Sequence, residues 1–318
     1  MVKQGKAVET VSLSVELAPR NPHGLHLRNP VMVASGTFGY GSEYAKLVDV
    51  HRLGAIICKG TTLEGRDGNI GPRTAETAAG MLNAIGLQNR GVDWLLREHA
   101  PRWAKWKTPV IVNIAAESVA EYADLAYQLD GREGVAGIEV NISCPNVAGG
   151  NVPFGSSPAA AAEVTAAVRR ASSLPLIIKL SPNVTDIASI ASAVEAAGAD
   201  AVSLINTVQG MAIDVQRRRP VLGNTFGGLS GPAIKPIALR LVYQVAQAVS
   251  IPIIGIGGIA STNDALEFLM AGATAVQVGS ASFANPHAAL DLLDGLERWL
   301  LVEGLADVRE IVGAALPK

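Results

Sequence analysis

Short apolar runs rich in valine and isoleucine recur along the chain, separated by longer stretches in which alanine, leucine and glutamate repeat at helical spacing. That alternation is expected of β-strand and α-helix units wound around a parallel sheet. Eight strands are predicted: Val31 to Ser35, Gly54 to Lys59, Pro109 to Ala115, Gly137 to Ser143, Pro175 to Ser181, Ala201 to Thr207, Pro252 to Gly257 and Ala275 to Ser280. Each is mostly apolar without strict alternation, as strands buried on both faces should be. Asp186 is placed to cap a helix whose Ile187, Ile190, Ala191 and Val194 fall at i, i+3, i+4 and i+7, and Gly198 to end it. The turn AGADAV at Ala197 returns as AGATAV at Ala271, with LGAI at Leu53 a weaker relative. One helix, glycine and strand design therefore repeats, which favours a closed (β/α)8 TIM barrel over an open α/β sheet.

Ahead of the first strand, Val11 to Leu17 and Leu25 to Arg28 read as a β-hairpin around Asn21-Pro22-His23-Gly24, placed to plug the bottom of the barrel. Residues 1 to 10 are expected to be flexible. Residues 60–92 and 208–235 are too long for simple connections, and the second carries Arg217, Arg218 and Arg219 before a glycine-rich run. Long loops after barrel strands are where specificity resides. The 318 residues, 49% of them hydrophobic, suit a single barrel domain over 1–318.

Charge and cysteine content narrow the chemistry. A net charge of -2 provides no basic stripe for a phosphate backbone, so a small substrate is expected and nucleic acid is not. Two cysteines, Cys58 and Cys144, are too few for a disulfide framework, a four-cysteine zinc site or an iron–sulfur cluster, and imply a reducing cytoplasm. No apolar run approaches the roughly 18 residues of a membrane span, and the start lacks the apolar centre of a signal peptide. The five histidines fall away from predicted strand ends, which removes a zinc or Ser-His-Asp reading.

Polar residues stand where the apolar strands finish: Lys59, Asn113, Asn141, Lys179, and Asn206 with Thr207. Any one could merely end its strand, but in a barrel all five positions share the rim where active sites lie. A lysine ending a buried strand needs an anion or an electron-rich ring to receive it. Strands seven and eight instead end in GIGG at Gly255 and VGS at Gly279, where close backbone approach makes a phosphate cradle. Cys144, in EVNISCPNVAGGNVPFG, is held extended by Pro145 just past a strand end, whereas Cys58 inside AIICKG reads as core packing. These residues alone leave open a flavin enzyme, a phosphate-binding aldolase or isomerase using Lys179 as a Schiff-base amine, and a non-catalytic binding barrel.

The motifs together resemble the class 1 dihydroorotate dehydrogenases. The resemblance rests on ASGTFGYG at Ala34, KGTT at Lys59, NAIGLQN at Asn83, VNIA at Val112, NISCPNV at Asn141, IIKLSPN at Ile177, INT at Ile205, GGLSGPAIKP at Gly227, GIGGI at Gly255 and VGSA at Val278. It implies FMN held by Ser35, Lys59, Gly60, Asn113, Asn141, Lys179, Ile205, Gly231, Gly257, Gly258, Gly279 and Ser280, with the phosphate beside the last four. It implies a dihydroorotate ring gripped by Lys59, by Asn83, Ala84, Ile85, Gly86 and Leu87, and by Asn141, Asn206 and Thr207. Cys144 is the implied base for oxidation to orotate in pyrimidine synthesis. The loop CPNVAGGNVPFG and KGTT look most like class 1B. That class pairs a homodimer of catalytic chains with two subunits carrying FAD and a [2Fe-2S] cluster, which pass electrons to NAD. The fumarate-reducing class 1A, a dihydropyrimidine-reducing enzyme and a tRNA dihydrouridine synthase are the flavin alternatives. The last would show a basic surface, which this composition lacks.

Overall fold

The structure, a computed structural model, describes residues 10–143 and 153–317. Eight parallel strands close into a barrel: β1 Val31–Val33, β2 Ala55–Ile57, β3 Val110–Ile114, β4 Gly137–Asn141, β5 Leu176–Lys179, β6 Ala201–Leu204, β7 Ile253–Ile256 and β8 Ala275–Val278. Neighbours in sequence are neighbours in the sheet, and β8 closes on β1 with Val276 opposite Val31 and Val278 opposite Val33. All eight predicted strands are present, and the (β/α)8 expectation is borne out.

All eight strands stop short of their predicted far ends, and four also start one residue late, three of them at a proline. Pro109, Pro175 and Pro252 have no N–H to give a ladder. Their carbonyls nevertheless accept from Ile56, Ile138 and Val202 and start the pairing. At the far ends, Ser35, Lys59, Asn206 and Thr207 have left the ladder and belong to rim loops.

Helices cover the barrel from outside at Val119–Leu129, Pro158–Ala171, Ile187–Ala196, Lys235–Ala246, Thr262–Met270 and Ala288–Glu303. In the third of these, the Asp186 carboxylate accepts from the N–H groups of Ala188 and Ser189, and Ile187, Ile190, Ala191 and Val194 are buried, as the spacing predicts. Gly198 and Gly272, in the two copies of the repeated turn, both have positive φ. Gly54 serves a different purpose, since a Cβ there would lie 2.2 Å from the Asn29 carbonyl oxygen. Between β1 and β2 the expected helix is replaced by two 3-10 turns, Tyr44–Lys46 and Val50–Arg52.

The N-terminal hairpin pairs Val15 with Leu27 and Glu16 with His26, and the Leu17 N–H donates to the Leu25 carbonyl. The front of its predicted first strand is diverted, because Ser12 bonds instead to Ala306 and Val308 near the C-terminus. Val15, Leu17, Leu25 and Leu27 are buried in the main core, and Asn21 reaches Asp200 and the Ser173 carbonyl ahead of β6 and β5. The hairpin thus covers the bottom of the barrel. The two long stretches are more ordered than loops. Thr74–Thr77, Gly80–Asn83, Gly227–Ser230 and Val208–Gly210 form one antiparallel sheet, with its own small core of Leu82, Ala84 and Leu222. Among the described residues no helix is long and apolar enough to cross a membrane.

Candidate active site

Inside the barrel, near the C-terminal ends of the strands, five polar side chains from five strands meet. Glu139, on β4, is fully buried. One of its oxygens accepts from Asn113 Nδ2 at 2.7 Å, and the other from Ser203 Oγ at 2.9 Å and Gln277 Nε2 at 3.0 Å. Lys179 Nζ lies 3.7 Å from the first oxygen and donates to Ser35 Oγ at 3.2 Å. Asn113 and Lys179 were expected here from the sequence, but Glu139, Ser203 and Gln277 were not. The overlooked signal is a single polar residue inside the apolar runs GIEV, AVSL and AVQV, where an uncompensated polar group would be costly.

Above this cluster lies a cavity. Ser35, Lys179, Ile205, Asn206 and Thr207 line one side, and Gly231, Gly257, Gly258, Gly279 and Ser280 line another. At Gly279 a Cβ would have only Ala34 nearby, at 3.8 Å, so the backbone there faces open space. Ser261 caps the following helix and Asp264 completes a capping box. The Asp264 carboxylate takes the N–H groups of Ala260 and Ser261, just ahead of this helix. Burial alone would raise the Asp264 pKa. Hydrogen bonds from Lys235, Ala260 and Ser261 nonetheless hold the carboxyl below its ordinary value. Lysine at one end and exposed glycine backbone at the other suit an elongated anionic cofactor with an electron-rich ring.

The other residues expected at the substrate come from the rim and the small sheet. A Cβ on Gly60 would meet Asn113 Oδ1 at 3.1 Å and Leu87 Cδ2 at 3.4 Å, so three distant motifs converge there. Asn69 holds the Asn83 to Leu87 loop: its side chain donates to the Ala84 carbonyl and its N–H to that of Ile85, while Gly86 packs on it. Asn89, buried, accepts from the N–H groups of Thr62 and Gly91 and donates to the Leu87 carbonyl. Asn83 Nδ2 donates to the Gly228 carbonyl at 3.2 Å, and Asn206 Nδ2 donates to Asn141 Oδ1 at 3.2 Å. Burial, helped by nearby Arg73, pushes the Lys59 pKa down. An anion beside this lysine would favour its charged form.

Dihydroorotate dehydrogenase is the family whose sequence profile matches this chain, over residues 18–300. The chain belongs to the dihydroorotate dehydrogenase family. It is 59% identical over 291 residues to a protein of Desulforamulus reducens named dihydroorotate dehydrogenase B (NAD(+)), catalytic subunit, covering 92% of this chain and 96% of that one. A protein of the same name from Geotalea daltonii is 58% identical over 302 residues, 95% of this chain and 97% of its own. Another, from Trichlorobacter lovleyi, is 56% identical over 303 residues, 95% and 98% of the two chains. The resemblance carried by NISCPNV and NAIGLQN is borne out.

Of the residues that resemblance singles out, Cys144 lies outside the described residues. Its neighbour Ser143 is fixed at the rim: Ser143 Oγ donates to the Lys179 carbonyl at 3.1 Å and its N–H to Asn141 Oδ1 at 3.2 Å. Gly155 N–H donates to the Ile142 carbonyl at 2.9 Å, which ties the returning chain to the same place. Cys58 is fully buried, and burial pushes its thiol pKa up to about 12. That is the core role read from the sequence. A second groove, of about 520 Å³, lies at the opposite end of the barrel. Its Arg169 and Asp200 pair with each other and its Arg20 pairs with Glu195, so its charges are largely spoken for.

Proposed function

We propose that this chain oxidises dihydroorotate to orotate in pyrimidine synthesis, with FMN in the cavity between Lys179 and the glycines of β7 and β8. The electrons pass to NAD through a partner subunit carrying FAD and a [2Fe-2S] cluster. The observation that carries this reading is the convergence of Ser35, Lys179, Asn206, Gly231, Gly257 and Gly279 on one cavity at the C-terminal end of the barrel. When bound, FMN supplies the acceptor for the hydride leaving C6 of the substrate.

The chain's own groups do the remaining work. Lys59 meets the substrate carboxylate, and that pairing offsets the burial and the nearby Arg73 that lower its pKa. Asn141 and Asn206, already bonded to each other, present amide donors and acceptors to the pyrimidine ring. Asn83 to Leu87, with Thr207, close the substrate side, and the small sheet excludes water from it. Cys144 takes the C5 proton; a free thiol near pKa 8.5 becomes a better base as pH rises. Lys179, which lines the cavity, would offset negative charge on the bound flavin. In the assembly, two copies of this chain pair with two electron-transfer subunits in the cytoplasm.

The test is anaerobic. Dihydroorotate should bleach the flavin absorbance of the purified chain, and the complex with its partner should reduce NAD. A colourless chain that cannot be reconstituted with FMN would sink the flavin reading. Rapid reduction of fumarate by the lone chain, with no NAD activity alongside the partner, would sink the NAD route.

A further inference from the structure

Accepting that the cavity holds FMN, we propose that Glu139 is a positioning residue: it is the buried counter-charge that keeps Lys179 charged and aimed at the cavity. Glu139 touches none of the cavity itself; it lies beneath it, fully buried, while Lys179 is 5% exposed. An ammonium removed from water to that degree needs a compensating charge. The structure gives it one at 3.7 Å, with Ser35 Oγ on its other side at 3.2 Å. Every group around Glu139 donates to it: Asn113, Ser203 and Gln277 by hydrogen bonds, Lys179 by charge. Three donors and one ammonium thus converge on a single carboxyl group.

The competing explanation is that Glu139 merely ties β3, β6 and β8 together. Three neutral donors would need only a neutral acceptor, and Gln277 Oε1 is buried without a partner, ready to accept from an amide at position 139. A glutamine there would keep much of the tie and lose only the charge. Glu139→Gln therefore separates the two roles.

Four proteins are compared: wild type, Glu139→Gln, Lys179→Met and the double variant. FMN affinity is read from recovery of free-flavin fluorescence, and the midpoint potential of the bound flavin is measured alongside. Glu139→Gln should weaken FMN binding by on the order of tenfold or more, because a buried charge loses its partner. Both single variants should lower the potential. In the Lys179→Met background, adding Glu139→Gln should cause no further loss, and should recover affinity, since it removes a carboxylate left unpaired. Losses that multiply, wild-type affinity in Glu139→Gln, or a raised potential in that variant would each overturn the proposal. Should Glu139→Gln not fold, a folded double variant supports the pairing, and an unfolded one overturns it. If wild type binds no FMN, the flavin reading fails separately; melting temperatures of the same four proteins then decide the pairing by the same non-additivity.

Discussion

Gly228→Ala is the sharpest test of how the small sheet shapes the substrate side. Gly228 sits in the strand Gly227–Ser230, paired with Asn83 on one side and Gln209 on the other. A Cβ at this position would lie 2.0 Å from Thr207 Oγ1, 2.5 Å from its Cβ and 3.2 Å from its Cγ2. Rotating the threonine cannot clear all three atoms, because its Cβ is itself too close. Ordinary contact begins near 3.4 Å, so even with the hydroxyl rotated away either Thr207 or the sheet must retreat by about 0.9 Å from the 2.5 Å Cβ contact. A displacement of about 1 Å in a positioning group is worth roughly a hundredfold in rate, and overpacking of this kind destabilises by about 1 to 3 kcal/mol. Steady-state kinetics should therefore show kcat/KM for dihydroorotate falling by on the order of a hundredfold. The rate loss should be measured on protein with full FMN content, since Thr207 also lines the cavity. Unchanged kinetics in a fully flavinated Gly228→Ala protein would refute both the assignment of Thr207 and the claim that the sheet sets its position.

Three further outcomes are expected. Iodoacetamide should label Cys144 in the native protein and reach Cys58 only after unfolding, since burial holds the Cys58 thiol near pKa 12; mass spectrometry of the labelled peptides checks this. Orotate affinity should fall as pH rises, and at a lower pH than an ordinary lysine would give, because burial and Arg73 lower the Lys59 pKa and the carboxylate needs the charged form. A Lys59→Met variant should lose that dependence when orotate binding to the flavinated protein is titrated by the change in flavin absorbance. At the other end of the barrel, Asp200→Ala strips a partner from Arg169, Asn21 and the Leu176 N–H. It should cost about 2 to 4 kcal/mol in chemical denaturation while leaving KM unchanged.

How much of this molecule its sequence discloses depends on whether the determining contact is local. Eight strands are legible because burial on both faces writes itself as unbroken apolar runs, and the Asp186 cap because its partners are two and three residues away. The four-stranded sheet over the site is not, because Gly80–Asn83 and Gly227–Ser230 pair across about 145 residues and neither is long or apolar enough to announce itself. The Ser12 contact with Ala306 and Val308 escaped for the same reason, and it shortened a hairpin that otherwise reads correctly.

The site residues divide in a parallel way. Lys59, Asn141 and Asn206 end apolar runs, and a polar residue there is visible as a change of character. Glu139, Ser203 and Gln277 lie inside such runs, where each reads alone as an interruption of a strand. They acquire meaning only when barrel closure brings β4, β6 and β8 face to face across the interior. A buried glutamate in an otherwise apolar strand is therefore better read as one half of something than as a defect. Here its other half, Lys179, stands 40 residues on in the chain and 3.7 Å away in space.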